Sequence, residues 1–159
     1  MKALVLYDSV FGNTQKVAEA IASALGSRVQ VELLKPSDGP VPDFAGIDLL
    51  VAGSPTRGFR PTEDLAALLK RIPPRALQST RVAAFDTRFK ADELKSATTR
   101  FVVKAGGYAA KRIASMLAKA GGTLAAPPEG FYVEDIEGPL KPGEADRAAA
   151  WATSLLPPS

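Results

Sequence analysis

The chain contains neither cysteine nor histidine in its 159 residues. Without cysteine it has no disulfide, no thiolate nucleophile and no cysteine-held metal. Without histidine it lacks the commonest acid–base group near neutral pH and the commonest metal ligand, and a Ser-His-Asp triad is impossible. Difficult chemistry, if there is any, falls to a bound cofactor. Long apolar runs are missing too. No uninterrupted stretch approaches the roughly 20 residues of a membrane helix, so membrane insertion is not expected. The opening Met1-Lys2-Ala3-Leu4-Val5-Leu6-Tyr7 runs straight into Asp8, too short an apolar stretch for a signal peptide; the expected location is the cytoplasm. No run of Lys or Arg, and no interleaving of aromatic with basic residues, points to nucleic acid. The 20 Lys+Arg against 17 Asp+Glu leave a formal charge of +3, which suits an ordinary solvated surface.

What is there suits one globular domain over residues 1–159: a 46% hydrophobic fraction and enough length to bury a core. Residues 3–7 form a continuous apolar run, as in a strand buried on both faces. From Thr14 the period changes, and Val17, Ile21, Ala24 and Leu25 mark the inner stripe of a helix that Gly26 stops. Val29 to Leu34 predicts a second strand, Ile47 to Ala52 a third, and Arg81 to Phe85 a fourth, stopping at Asp86. A short helix is predicted from Thr62 to Lys70, a stronger one from Tyr108 to Ala120, and a last one from Glu144 to about Leu156 with Ala145, Ala148, Ala152 and Leu155 inward. Thr123 to Ala126 and Phe131 to Val133 predict a final strand interrupted by Pro127-Pro128. Residues 87–105 have no regular pattern. Alternating strands and helices imply right-handed crossovers and an α/β fold: a five-stranded, doubly wound parallel sheet with helices on both faces. Ligands of such sheets sit beyond the C-terminal strand ends, where the winding direction switches. That rule selects the loops at 9–14, 53–62 and 86–90.

The first of these loops, Ser9-Val10-Phe11-Gly12-Asn13-Thr14, joins a buried strand to a helix. Unpaired N–H groups and the helix dipole at such a junction favour an anion, and a phosphate satisfies both. Ser9 and Thr14 add hydroxyls, Asn13 an amide, and Gly12 a backbone free to take positive φ. The same residues are also ordinary turn and cap formers. The loop has no Lys or Arg, and neither G-x-x-x-x-G-K-[ST] nor G-x-G-x-x-G occurs, which argues against a nucleoside triphosphate or a dinucleotide. Gly53-Ser54 stands where a phosphorylated receiver domain would end its third strand with Asp.

The run Tyr7-Asp8-Ser9-Val10-Phe11-Gly12-Asn13-Thr14-Gln15-Lys16-Val17-Ala18 resembles the N-terminal signature of the flavodoxin family, in which this loop grips the FMN phosphate. Gly53-Ser54-Pro55-Thr56 resembles the family's second flavin loop. Ala83-Ala84-Phe85-Asp86-Thr87-Arg88, with Glu137-Gly138-Pro139-Leu140, resembles a bacterial subgroup of flavodoxin-domain proteins. The resemblance covers nearly the whole chain and implies a flavodoxin-like three-layer sandwich with FMN as cofactor. It also implies flavin contacts from Pro55, Thr56, Arg57, Gly58 and Phe59 and from Asp86, Thr87, Arg88 and Phe89. A flavin ring needs apolar or aromatic walls, for which Phe59 and Phe89 are the candidates, though the family's usual Trp and Tyr are missing and either Phe could serve packing instead. Tyr108 is expected to cap its helix or join the core. Asp86 is expected to accept an N–H of the ring or to cap a turn, and Trp151 to pack or anchor an interface.

Arg57, Arg60 and Arg88 depart from the acidic surroundings of electron-shuttling flavodoxins. Cations there would stabilise negative charge on the ring, giving a higher reduction potential than a low-potential shuttle and favouring anionic partners. The other readings are that they point into solvent, or that Arg57 and Arg88 bind a substrate carboxylate or phosphate. Three functions follow: an FMN redox protein serving a partner protein or a small acceptor such as a quinone; an FMN-dependent quinone-type oxidoreductase using residues 87–105 as a substrate wall; or a flavodoxin-fold interaction module that has lost FMN.

Overall fold

The computed structural model describes residues 1–90 and 108–158. Strands β1 (Lys2–Tyr7), β2 (Gln30–Leu34), β3 (Leu49–Pro55) and β4 (Arg81–Arg88) lie in the order β2-β1-β3-β4, all parallel. The fifth lane, beside β4, holds two short strands, β5 (Thr123–Leu124) and β6 (Glu129–Tyr132). Between them fall Pro127 and Pro128, which have no N–H to give a ladder, so the expected interruption divides one lane into two strands. Helices α1 (Asn13–Gly26) and α4 (Glu144–Ser154) cover one face; α2 (Glu63–Lys70) and α3 (Ala109–Lys119) cover the other. The sandwich is the flavodoxin-like one that the sequence implies.

Strand side chains alternate between two apolar layers. Leu4, Leu6, Leu50, Val82 and Ala84 meet α2 and α3, while Val5, Leu49, Val51, Ala83 and Phe85 meet α1 and α4. Both strand faces are therefore apolar, which is why these strands read as continuous hydrophobic runs. Each fully buried Leu or Val stabilises the fold by about 1.5–3 kcal/mol relative to exposure. Trp151 of α4 packs edge-on to Phe131 at 5.9 Å and to Phe85 at 6.3 Å between ring centroids. From β1 the chain steps outward to β2, then crosses back to β3 and onward. Winding reverses between β1 and β3, and a crevice opens beyond their C-terminal ends.

Strand ends shift from the sequence expectation: β2 starts at Gln30 rather than Val29, β5 stops at Leu124 rather than Ala126, β6 runs from Glu129 to Tyr132 rather than Phe131 to Val133, and β3 and β4 shift as well. β3 starts at Leu49 rather than Ile47, because the Ile47 N–H turns back to the Phe44 carbonyl. It then continues through Gly53-Ser54-Pro55, paired with Phe85-Asp86-Thr87. Gly53 is needed for space: a Cβ there would stand 2.1 Å from the Phe85 ring. β4 does not stop at Phe85 but runs on to Arg88, since the Asp86 carboxylate finds its partners inside the fold. The inner stripe of α4 is also corrected. Ala145 is exposed, and Glu144 takes the inward place above Ala148 and Ala152. Its carboxylate accepts the Tyr132 N–H at 2.8 Å and the Arg147 guanidinium at 2.7 and 2.9 Å, so a charged residue fits a buried stripe. Of the irregular stretch 87–105, residues 91–105 lie outside the described residues.

Candidate functional site

The crevice is built from four strand exits. At the first, Asp8 accepts the Ser9 N–H at 2.9 Å and the Thr62 hydroxyl at 2.6 Å, tying the end of β1 to the start of α2. The Ser9 Oγ accepts the N–H groups of Gly12 and Gln15 at 3.1 and 3.3 Å, which curls the chain into the head of α1. Gly12 sits at the N-cap in the left-handed region, φ 92°, where any Cβ would be strained. A glycine brings no capping side chain, and the first turn of α1 carries no acidic residue. Among the described residues nothing accepts the N–H groups of Val10, Phe11, Asn13 and Thr14. The positive end of α1 thus faces the crevice uncompensated. Thr14 and Asn13 stitch it to the rest of the site: the Thr14 and Thr87 hydroxyls are 2.8 Å apart, and Asn13 Nδ2 donates to the Glu137 carbonyl at 3.2 Å.

Beyond β3 the chain makes a tight hairpin in which Arg57 and Arg60 exchange backbone hydrogen bonds of 2.8 and 3.0 Å. Its two central residues are both left-handed, Gly58 at φ 55° and Phe59 at φ 67°, as a mirror-image type I turn demands. Glycine adopts this freely; a phenylalanine does so only where its surroundings hold it, and such outliers gather at ligand clamps. Here Arg112 Nε donates to the Phe59 carbonyl at 2.9 Å.

Behind the hairpin lies a buried charge pair. Asp86 is fully enclosed and takes two of the three Arg88 side-chain nitrogens, Nε at 2.6 Å and Nη2 at 2.8 Å. The same carboxylate accepts the Ala110 N–H in the first turn of α3 at 2.9 Å, while the Thr56 hydroxyl accepts the neighbouring Ala109 N–H at 3.1 Å. Burial pushes the Asp86 carboxyl above its usual range, against the opposing pull of Arg88, the Ala110 N–H and the Thr56 hydroxyl. The Arg88 guanidinium lies 3.7 Å from the centre of the Tyr108 ring. It also packs against Gly130, where a Cβ would stand 2.1 Å from Nε.

These segments enclose a cleft of about 460 Å³. Ser9, Val10, Phe11, Asn13 and Thr14 line one end, Pro55 to Phe59 one side, and Thr87, Arg88 and Phe89 the floor. Of the residues singled out in the sequence, Gly12 shapes the loop without lining the cleft, and Asp86 lies behind the wall, satisfied by the protein itself. Arg88 spends its fork on Asp86, and Arg60 lines a neighbouring groove, leaving Arg57 as the exposed cation of the cleft among the described residues. Tyr108, expected to cap or pack, stands at the N-cap of α3 without a side-chain cap bond, and it lines the cleft. Val133 and Ile136 also line it. They follow β6, and the rule that selected the exits of the other strands would have found them had it been applied to the fifth. The arrangement suits a ligand with an anionic head at α1 and a planar apolar body between the walls.

Comparison with known proteins agrees with this geometry. The flavodoxin domain family model matches residues 4–124, more than half of the chain. The fold resembles oxidised flavodoxin 1 from Bacillus cereus with a TM-score of 0.75 at 14% identity, over 98% of this chain and 97% of that one. It resembles a flavodoxin from the domain Archaea with a TM-score of 0.70 at 20% identity, over 98% and 96%. Rubredoxin oxygen:oxidoreductase from Desulfovibrio gigas gives a TM-score of 0.72 at 19% identity, over 97% of this chain and 35% of that one. The chain belongs to the flavodoxin domain family, and membership implies FMN as its cofactor.

Proposed function

We propose that this protein is an FMN-dependent electron-transfer protein whose Ser9–Thr14 loop holds the cofactor's phosphate. The observation that carries the reading is the uncompensated head of α1: four N–H groups without acceptors among the described residues, at a helix terminus with no acidic residue in its first turn. Phe59 and Phe89 serve as walls for the ring, with Tyr108 and the apolar Val133 beside them. When bound, FMN supplies one- and two-electron chemistry that no side chain of this chain can. The protein's own part is to orient the ring, to keep water from its faces, and to set the local charge. Arg57 favours negative charge at the cleft mouth, whereas the Asp86–Arg88 pair is charge-balanced when Asp86 is ionised. A cytoplasmic location belongs to the same reading.

A quinone-type oxidoreductase remains as a second reading because exposed Val10, Phe11 and Ile136 form an apolar rim on which a small acceptor could lie. An assay of NADH or NADPH oxidation with quinones and no added reductase separates the two. A transfer protein turns over slowly until a reductase is supplied; rapid turnover by the protein alone would overturn the first reading.

A further inference from the structure

A second concavity, of about 900 Å³, runs between α2 and α3 on the face beside the cleft. Its described lining carries five cations, Arg60, Lys70, Lys111, Arg112 and Lys119, against one acid, Glu63. All five cations are exposed, and among the described residues none forms an ion pair. The groove is continuous with the cleft: Tyr108 lines both, and Arg112 holds the carbonyl of Phe59, which lines the cleft. Across the cleft the charge reverses, with Glu134, Asp135 and Glu137 all exposed on the loop after β6. Five of the chain's 20 Lys and Arg thus line one groove beside the cleft, with three acids on the loop opposite, a local asymmetry that steers and orients an approaching charged surface.

We infer that the α2–α3 groove is the docking surface for an acidic protein, its carboxylates set against these five cations, and that this protein is the one that exchanges electrons at the cleft. The inference rests on the electron-transfer reading above for the partner's role, though not for the groove's charge. Nucleic acid fits less well, since bases seek free aromatic platforms. The described lining has one aromatic, Tyr108, whose ring already carries the Arg88 guanidinium. A membrane surface is flat and is met by a projecting apolar flank, whereas Ala66 and Met116 are half-buried in the groove.

The test uses the FMN-loaded full chain and a fluorescein-labelled poly-glutamate peptide, read by anisotropy at low and high ionic strength. A groove variant, K70E/K111E/K119E, is compared with K2E/R28E/K35E, which changes net charge equally away from the groove. The expected result is salt-sensitive binding that the groove variant weakens by about tenfold or more and the other variant by far less. Equal weakening by both variants would overturn the inference, since net charge alone would then explain binding. Tighter binding of a single-stranded oligonucleotide of equal charge, or sedimentation with phosphatidylglycerol vesicles that the groove variant abolishes, would overturn it in favour of nucleic acid or membrane. FMN titration of the same proteins after flavin stripping, with the anisotropy repeated on the stripped forms, keeps the two claims apart. A wild-type chain that takes no FMN but still shows the groove effect would sink the electron-transfer reading alone.

Discussion

At the α1 end of the cleft the available polar groups belong to the backbone; at the α3 end they belong to side chains already bound to one another. The first end is a helix terminus with N–H groups to offer, shaped by one left-handed glycine and one serine hydroxyl. The second is a closed circuit in which Asp86, Arg88, Thr56 and the first turn of α3 satisfy each other, with Tyr108 laid over the guanidinium. A site built mainly from backbone is weakened by loss of one hydroxyl but fails when its conformation is strained. A buried charge circuit fails when one member is removed, because the remaining charge is left without its partner.

The largest expected effect breaks the α3 end. Asp86→Ala strands Arg88 beneath Tyr108 and removes the acceptor of the Ala110 N–H. Urea unfolding should show a loss of about 3–5 kcal/mol, and an unchanged midpoint would mean that the circuit does not hold this end together. Gly12→Ala strains the α1 end at φ 92° without meeting any neighbour. It should cost about 1–2 kcal/mol of stability and weaken FMN more than riboflavin, measured by fluorescence titration. A uniform loss for both flavins would contradict a phosphate role for this loop. Phe59→Gly relieves left-handed strain while removing a wall. Stability should stay within about 1 kcal/mol of wild type, while affinity for FMN and riboflavin falls by the same factor.

The smallest effect lies outside both ends and serves as their control. Arg147 and the Tyr132 N–H hold the Glu144 carboxyl below the usual glutamate range. A lowered folded pKa contributes stability that is present above the unfolded value and lost as pH falls through the folded one. Wild type should therefore lose this contribution on acidification, and Glu144→Gln should flatten that limb by about 1 kcal/mol in pH-dependent thermal unfolding. Asp86 has the opposite sign. Its raised pKa makes its contribution full below the unfolded value and lost as pH rises through the folded one.

The same contrast explains what could be read in the sequence. The α1 end is local: Ser9, Gly12, Asn13 and Thr14 lie within six residues, after a buried strand, and their chemistry needs no distant partner to be recognised. The fold was legible for a similar reason, since the apolar layers on both strand faces leave continuous runs, and Pro127-Pro128 marks the broken lane. The α3 end joins residues 56, 86, 88, 108 and 130, whose meeting depends on strand order and register. Asp86 looked like a strand end because an isolated carboxylate cannot stay buried; nothing near it in sequence announces the N–H of Ala110. Glu144 misled for the same reason, being charged yet paired inward. The left-handed Phe59 carries no residue-level signal, since Gly58 alone accounts for an ordinary turn.

Parallel titration of the flavin-stripped protein with FMN and riboflavin tests the central claim most directly. If the head of α1 holds the phosphate, FMN should bind more tightly by about 30-fold or more, and Thr14→Ala should narrow that gap while leaving riboflavin unchanged. Equal affinities for the two flavins, or binding of neither, would contradict the account.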